Sequence, residues 1–218
     1  MHRKYALVSV IMPSYLSEYP NCSKNREQKF IRAVNSFLDN NYKYKELVIV
    51  ADGCDKTMKI YQKEFKQFHN IRCYKIEKQS EFSGAVRDYG LQKAHGNIIC
   101  YLDTDDVLGT KHIENLVKNF NTKKFDWVYF NDFVRTPDMK ELKRHISIEK
   151  GSIGTSCIAH RNIRKRFFWQ KKHITWLGCD KYNHDFLFIE KLYDNFPNYN
   201  KIDGCQYYVC HIPNRLDV

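Results

Sequence analysis

Ile98-Ile99-Cys100-Tyr101-Leu102-Asp103-Thr104-Asp105-Asp106 runs five strand-favouring residues straight into three carboxylates within four positions. A continuous apolar run of this length reads as a strand buried on both faces, the kind found inside a parallel sheet. The C-terminal end of such a strand is where open α/β sheets place their ligands. Acidic side chains gathered there repel one another and call for a compensating cation. Hard ions such as Mn²⁺ or Mg²⁺ take carboxylate oxygens and keep coordination positions for substrate phosphate. The plainer alternative is a strand that ends in an acidic, solvated turn. On an extended chain Asp103 and Asp105 face one side and Asp106 points away. Asp105 is therefore the first metal candidate, Asp103 serves the metal and ribose side, and Asp106 has a supporting role.

Working outward, residues 5–12 form a first central strand that Pro13 should stop. Helical spacing follows in 27–40, with Phe30, Ile31, Val34, Phe37 and Leu38 on one face. A second buried strand, 47–51, ends in Asp52-Gly53. A basic helical stretch covers 56–69, a short strand 71–74, and a helix 83–95 closed by Gly96. After the opening strand, 110–121 aligns Ile113, Leu116, Val117 and Phe120 on one helical face. This strand–helix alternation predicts an α/β fold with a central, mostly parallel sheet flanked by helices and a Rossmann-like N-terminal half. The second half is less regular, with strands expected at 127–130, 156–159 and 206–211 and a helix at 185–194.

The chain has 218 residues, 43% hydrophobic and 15% aromatic, enough for one sizeable core over 1–218 without a flexible linker. No stretch approaches the roughly 18 apolar residues of a membrane span. Met1-His2-Arg3-Lys4 leads into a short β-branched run unlike a signal peptide, so a cytoplasmic location is expected. The eight cysteines form no CxxC pair and read as small apolar side chains rather than a disulfide or zinc framework. A net charge of +11 asks for an anionic partner: nucleotide phosphates, an anionic membrane surface or nucleic acid.

Three strand ends share one predicted sheet edge: Pro13-Ser14-Tyr15, Asp52-Gly53 and Asp103-Thr104-Asp105-Asp106. Tyr15 is a platform for a flat ring or a packed aromatic. Asp52 accepts a ring N–H or simply makes an Asp-Gly turn. Together they describe a pocket for a base, a ribose and a diphosphate, giving a nucleotide-binding half, 1–106, and an acceptor-side half, 107–218. Neither GxGxxG after the first strand nor GxxxxGK[ST] anywhere supports a dinucleotide or P-loop site.

These fragments resemble the family-two glycosyltransferases, which have the GT-A fold. Val8-Ser-Val-Ile-Met-Pro-Ser-Tyr15 is similar to the family's opening strand and Pro-x-Tyr turn, with Leu16 where Asn is usual. Val50-Ala-Asp-Gly53 resembles Val-Asp-Asp-Gly, with Ala51 for the first Asp; Asp52 matches the residue that faces the base. Gly84-Ala-Val-Arg-Asp-Tyr-Gly90 with Ala94-His-Gly96 resembles Ala-Arg-Asn-x-Gly and its Ala-x-Gly ending. Arg87 matches the nucleotide-side Arg, and Asp88 replaces Asn. Leu102-Asp-Thr-Asp-Asp106 fits the metal-binding Asp-x-Asp motif. The resemblance implies a metal-dependent, inverting transfer from a nucleotide-diphosphate sugar, uridine favoured, to a glycan or lipid-linked acceptor hydroxyl, with no nucleic-acid partner.

Asp185 is the candidate base, at the head of a helix whose apolar stripe is Phe188, Ile189 and Leu192, with Asn183 placed to cap it. His184-Asp185 resembles the family's Glu-Asp pair, in which the Asp deprotonates the acceptor; His184 replaces Glu. A capping carboxylate is the alternative role, and Asp180 is the reserve base. His211 is similar to a late His that approaches the metal or diphosphate, or it is structural. The basic and aromatic run 161–172 suits peripheral contact with an anionic membrane, stacking against single-stranded nucleic acid, or a solvated loop. Two rival classes remain: an aspartate-nucleophile phosphatase built on Asp103 and Asp105, and a polyanion- or membrane-binding module.

Overall fold

The computed structural model describes residues 6–79, 82–122, 124–162, 179 and 183–218. The first half alternates β1 (Val8–Ser14), α1 (Arg26–Leu38), β2 (Lys45–Asp52), α2 (Asp55–Ile60, continuing as a π-turn through Phe65), β3 (Ile71–Ile76), α3 (Gly84–Lys93) and β4 (Ile98–Tyr101). Next come β5 (Val107–Leu108), α4 (His112–Thr122), β6 (Trp127–Phe130), β7 (Phe133–Arg135), β8 (Glu141–Lys143) and β9 (Ile158–Arg161). The chain ends with α5 (His184–Asn195), β10 (Tyr199–Ile202), β11 (Tyr207–Val209), β12 (His211–Ile212) and β13 (Leu216–Asp217).

Among the described residues a seven-stranded sheet has the order β10-β6-β9-β4-β1-β2-β3. Its pairs are parallel except where β9 inserts antiparallel between β4 and β6. Alternation along the central strands divides the core into two layers. Val8, Val10 and Met12 of β1, with Ile98, Cys100 and Leu102 around β4, pack with Phe30, Val34 and Phe37 of α1 and Ile113 and Leu116 of α4. Ile11, Ile99 and Tyr101 point to the other face, against Leu91 of α3 and Phe188, Ile189 and Leu192 of α5. Each such side chain, fully buried, contributes about 1.5–3 kcal/mol. A second sheet, β5-β11-β7-β8, lies across the chain's later segments.

Three local expectations change. Pro13 does not stop β1; it pairs with Val50 inside the strand. The Ile11 carbonyl accepts from the Leu102 N–H, so the Pro13 nitrogen faces the same side two residues on, past the end of β4. No ladder donor is needed there. Gly96 follows α3 after Ala94 has already turned extended, and its role is proximity: a Cβ there would meet the Ser9 nitrogen at 2.5 Å. The late strand expected at 206–211 is split at Cys210 into β11 and β12.

Candidate active site

The carboxyl ends of β1, β2 and β4 open on one edge, as the parallel register requires. Ser14 is buried and its hydroxyl lies 2.7 Å from that of Thr57. The Tyr15 carbonyl accepts from Arg26, and its ring faces the Lys78 ammonium at 4.7 Å. Asp52 is buried, accepting from Lys78 Nζ at 2.8 Å and from the Gln79 N–H at 2.6 Å. Gly53 makes this close approach feasible: it has φ 62°, and a Cβ would meet Lys78 Cβ at 2.8 Å. Lys78 therefore bridges the two groups expected to hold a base. Sequence reading missed it, because a lysine after a short strand carries no motif.

At the end of β4 the carboxylates of Asp103 and Asp106 take different partners. Asp106 is buried and turned away, accepting from the Tyr207 hydroxyl at 2.9 Å and the Cys210 N–H at 2.9 Å. Burial, then the charges of Asp105 and Asp103, push its carboxyl well above the ordinary range. Tyr207 also receives the Asp103 N–H at 3.1 Å, so one phenol from β11 fixes the loop's shape. Thr104 is buried. Arg32 donates to the Asp105 carbonyl at 2.8 Å, while no described residue makes a hydrogen bond or ion pair with the Asp105 carboxylate.

Arg87 is the centre of the site. Its guanidinium is 3% exposed and spans two carboxylates, Nη2 to Asp103 at 2.9 Å and Nη1 to Asp185 at 3.0 Å. Burial works against its charge, and Asp185 and Asp103 together hold it protonated. Burial likewise pushes the Asp103 carboxyl up; Arg87 opposes this, and the charges of Asp185 and Asp105 add to it. Asp185 goes the other way. Burial is outweighed by Arg87, by the His184 imidazole 2.9 Å away and by the Thr155 N–H, holding its carboxyl well below the ordinary range. His184, in the place of the expected Glu, also lies 3.2 Å from the Ser83 hydroxyl, which accepts from Arg87. Asn183 occupies the N-cap position with φ 72°, and its side chain makes no capping bond. Asp180 and residues 163–172 of the basic segment lie outside the described residues.

The chemistry of Asp103 and Asp105 fits a hard divalent cation: two oxygen donors, mutual repulsion and open coordination for phosphate. His211 does not join them. Its Nδ1 lies 3.2 Å from Asp217 and its Nε2 3.1 Å from the Asn21 carbonyl. Among the described residues no three His, Cys, Asp or Glu side chains converge on one point. No described helix is long and apolar enough to cross a membrane.

The sequence and the fold have counterparts. The profile described as Glycosyl transferase family 2 matches residues 9–196. An uncharacterised glycosyltransferase of Methanocaldococcus jannaschii is 25% identical over 211 residues, covering 85% of this chain and 68% of the relative. The crystal structure of Staphylococcus aureus TarS 1–349 with UDP-GlcNAc superposes with a TM-score of 0.69 at 19% identity, over 93% of this chain and 58% of that one. The mannosyltransferase PcManGT of Pyrobaculum calidifontis, solved with GDP-Man and Mn²⁺, gives 0.66 at 14% identity, over 98% and 59%. The chain thus spans about three-fifths of these solved structures. The aspartate-nucleophile phosphatase reading falls away, with the acidic motif on the fourth strand of a GT-A sheet and the family profile spanning it. The chain belongs to glycosyl transferase family 2 and has the GT-A fold.

Proposed function

We propose that this chain transfers a sugar from a nucleotide-diphosphate donor, UDP-linked by preference, to an acceptor hydroxyl on a glycan or lipid-linked saccharide, with inversion. The observation that carries the reading is the Asp103–Arg87–Asp185 bridge, which ties the nucleotide half to the candidate base. A base ring entering between Tyr15 and Asp52 replaces Lys78 on both, stacking on the phenol and donating a ring N–H to the carboxylate. The displaced ammonium then stays near the diphosphate. Asp105 and Asp103 would hold Mn²⁺ or Mg²⁺, which when bound neutralises charge growing on the leaving diphosphate. His211 would contribute only after leaving Asp217 and Asn21.

In the described arrangement Asp185 is a weak base because Arg87 and His184 stabilise its anion. An arriving diphosphate competes with Asp103 and Asp185 for Arg87 and loosens its hold on Asp185. Basicity then rises as the donor is seated, and Asp185 takes the proton from an acceptor hydroxyl attacking the anomeric carbon opposite the leaving group. Support for this donor class comes from the nucleotide sugars held by the TarS and PcManGT structures. The test is proton NMR of the first product formed from α-linked UDP-sugars by the wild type and Asp185→Asn. A β-anomer that appears only with the wild type is expected. An α-anomer, or equal turnover by Asp185→Asn, overturns the assignment.

A further inference from the structure

Beyond Asp185, α5 borders a groove of ≈ 660 Å³ whose lining includes Tyr129, Phe186, Glu190, Tyr193, Asp194 and Tyr199. The β6 and β10 strands, paired at the sheet edge, supply Tyr129 and Tyr199, α5 supplies the other four, and residues 146–148 complete the wall. Tyr199 is braced from beneath by Trp127, centroids 4.7 Å apart and planes at 24°. Tyr193 stands 5.4 Å from Tyr199 at 50°, and Tyr129 6.5 Å at 47°, so three phenols cluster along the groove, with the Lys201 ammonium 5.7 Å from the Tyr129 ring. Tyr193 is 48% exposed although it is large and aromatic. Phe186 directly follows Asp185, and the eight steps from Phe186 to Asp194 carry the groove about 12 Å along the helix.

Its polar groups narrow the occupant. Glu190 and Asp194 lie one turn apart on the same face of α5, both exposed. The Lys201 ammonium is drawn to the Ile146 carbonyl at 2.6 Å. Two carboxylates offset by a single engaged lysine repel phosphate and uronate, in a protein whose net charge is +11. Carboxylates accept from hydroxyls, and phenol faces pack on the C–H faces of pyranose rings. We propose that this groove binds an uncharged saccharide chain and delivers its end to Asp185, which makes the acceptor a neutral glycan rather than a phosphate polymer. This rests on Asp185 being the base of a transfer to a saccharide hydroxyl.

The test titrates the full chain with cellotetraose, chitotetraose, maltotetraose and mannotetraose, and with a hyaluronan tetrasaccharide, by saturation-transfer NMR. At least one neutral tetrasaccharide binds, and Tyr193→Ala and Glu190→Gln each weaken it about five- to tenfold, the loss of one aromatic or charge-assisted contact. The hyaluronan fragment binds more weakly than the best neutral chain. UDP with Mn²⁺ shifts the melting temperature of both variants as it does that of the wild type. The proposal is overturned if no neutral chain binds the wild type, if both variants bind like the wild type, or if the anionic fragment binds best. Groove binding that persists in a wild type indifferent to every nucleotide supports the groove and counts against the donor assignment alone.

Discussion

Arg87→Met removes the cation that faces both Asp103 and Asp185 while keeping most of the side-chain volume. Breaking a buried ion pair by deleting one partner costs about 3–5 kcal/mol. Asp103 and Asp185 keep 34% and 29% of their side-chain surface exposed, and solvent reaching them lowers the expected loss to about 2–4 kcal/mol at pH 7. The pH dependence gives the cause. In the wild type Asp185 is held below its unfolded value, so its contribution is complete above about pH 4 and is lost as pH falls through the lowered native value. Without Arg87, burial and the charges of Asp185 and Asp105 raise the Asp103 carboxyl further, and Asp185 keeps only His184 and the Thr155 N–H against burial. The variant's deficit is then largest at neutral pH and shrinks as pH falls and Asp103 takes up its proton. Urea unfolding followed by tryptophan fluorescence at pH 7, 5.5 and 4.5 measures it. A variant within about 0.5 kcal/mol of the wild type at pH 7, or a gap that does not narrow on acidification, refutes the bridge as the organising contact.

Three further outcomes are expected. Asp105→Asn removes one of the charges that raise the Asp103 and Asp106 carboxyls, so without ligand it melts no lower than the wild type by calorimetry. Buried His160, 2.8 Å from the Tyr101 hydroxyl, has its pKa lowered to about 4 by burial against an ordinary 6.5. The unfolded chain takes up that proton first, so stability falls between pH 6.5 and 4 by about 3 kcal/mol for this group, and His160→Gln flattens that slope in urea titrations. Gly96→Ala drives a Cβ into the Ser9 backbone and costs about 1–3 kcal/mol in the same unfolding assay, whereas a turn glycine such as Gly151, with open space around it, is strained only by its φ of 84°.

The strand–helix order of the first half was legible because its signals are local. Ile98 to Asp106 carries burial, strand end and chemistry in nine consecutive residues, and the alternation of strand and helix places the other two strand ends on the same edge. What escaped depends on contacts far apart in sequence. Arg87 and Asp185 are 98 positions apart, and neither residue's neighbours announce the other. The phenol of Tyr207 fixes Asp103 and Asp106 from about a hundred residues away, inside a run that reads only as a late strand. The antiparallel insertion of β9 and the short strands of the second sheet are settled by tertiary pairing, since two- and three-residue strands carry almost no periodicity. Pro13 misled for a physical reason: a breaker is harmless where the adjoining strand has already ended.

The most direct measurement is the melting temperature of the full chain titrated with UDP, GDP, ADP, CDP and TDP, each with and without Mn²⁺. The expected stabilisation requires Mn²⁺, is strongest with UDP and disappears in Asp105→Asn. Stabilisation by none of the five nucleotides in the presence of Mn²⁺, or an equal response from Asp105→Asn, would contradict it.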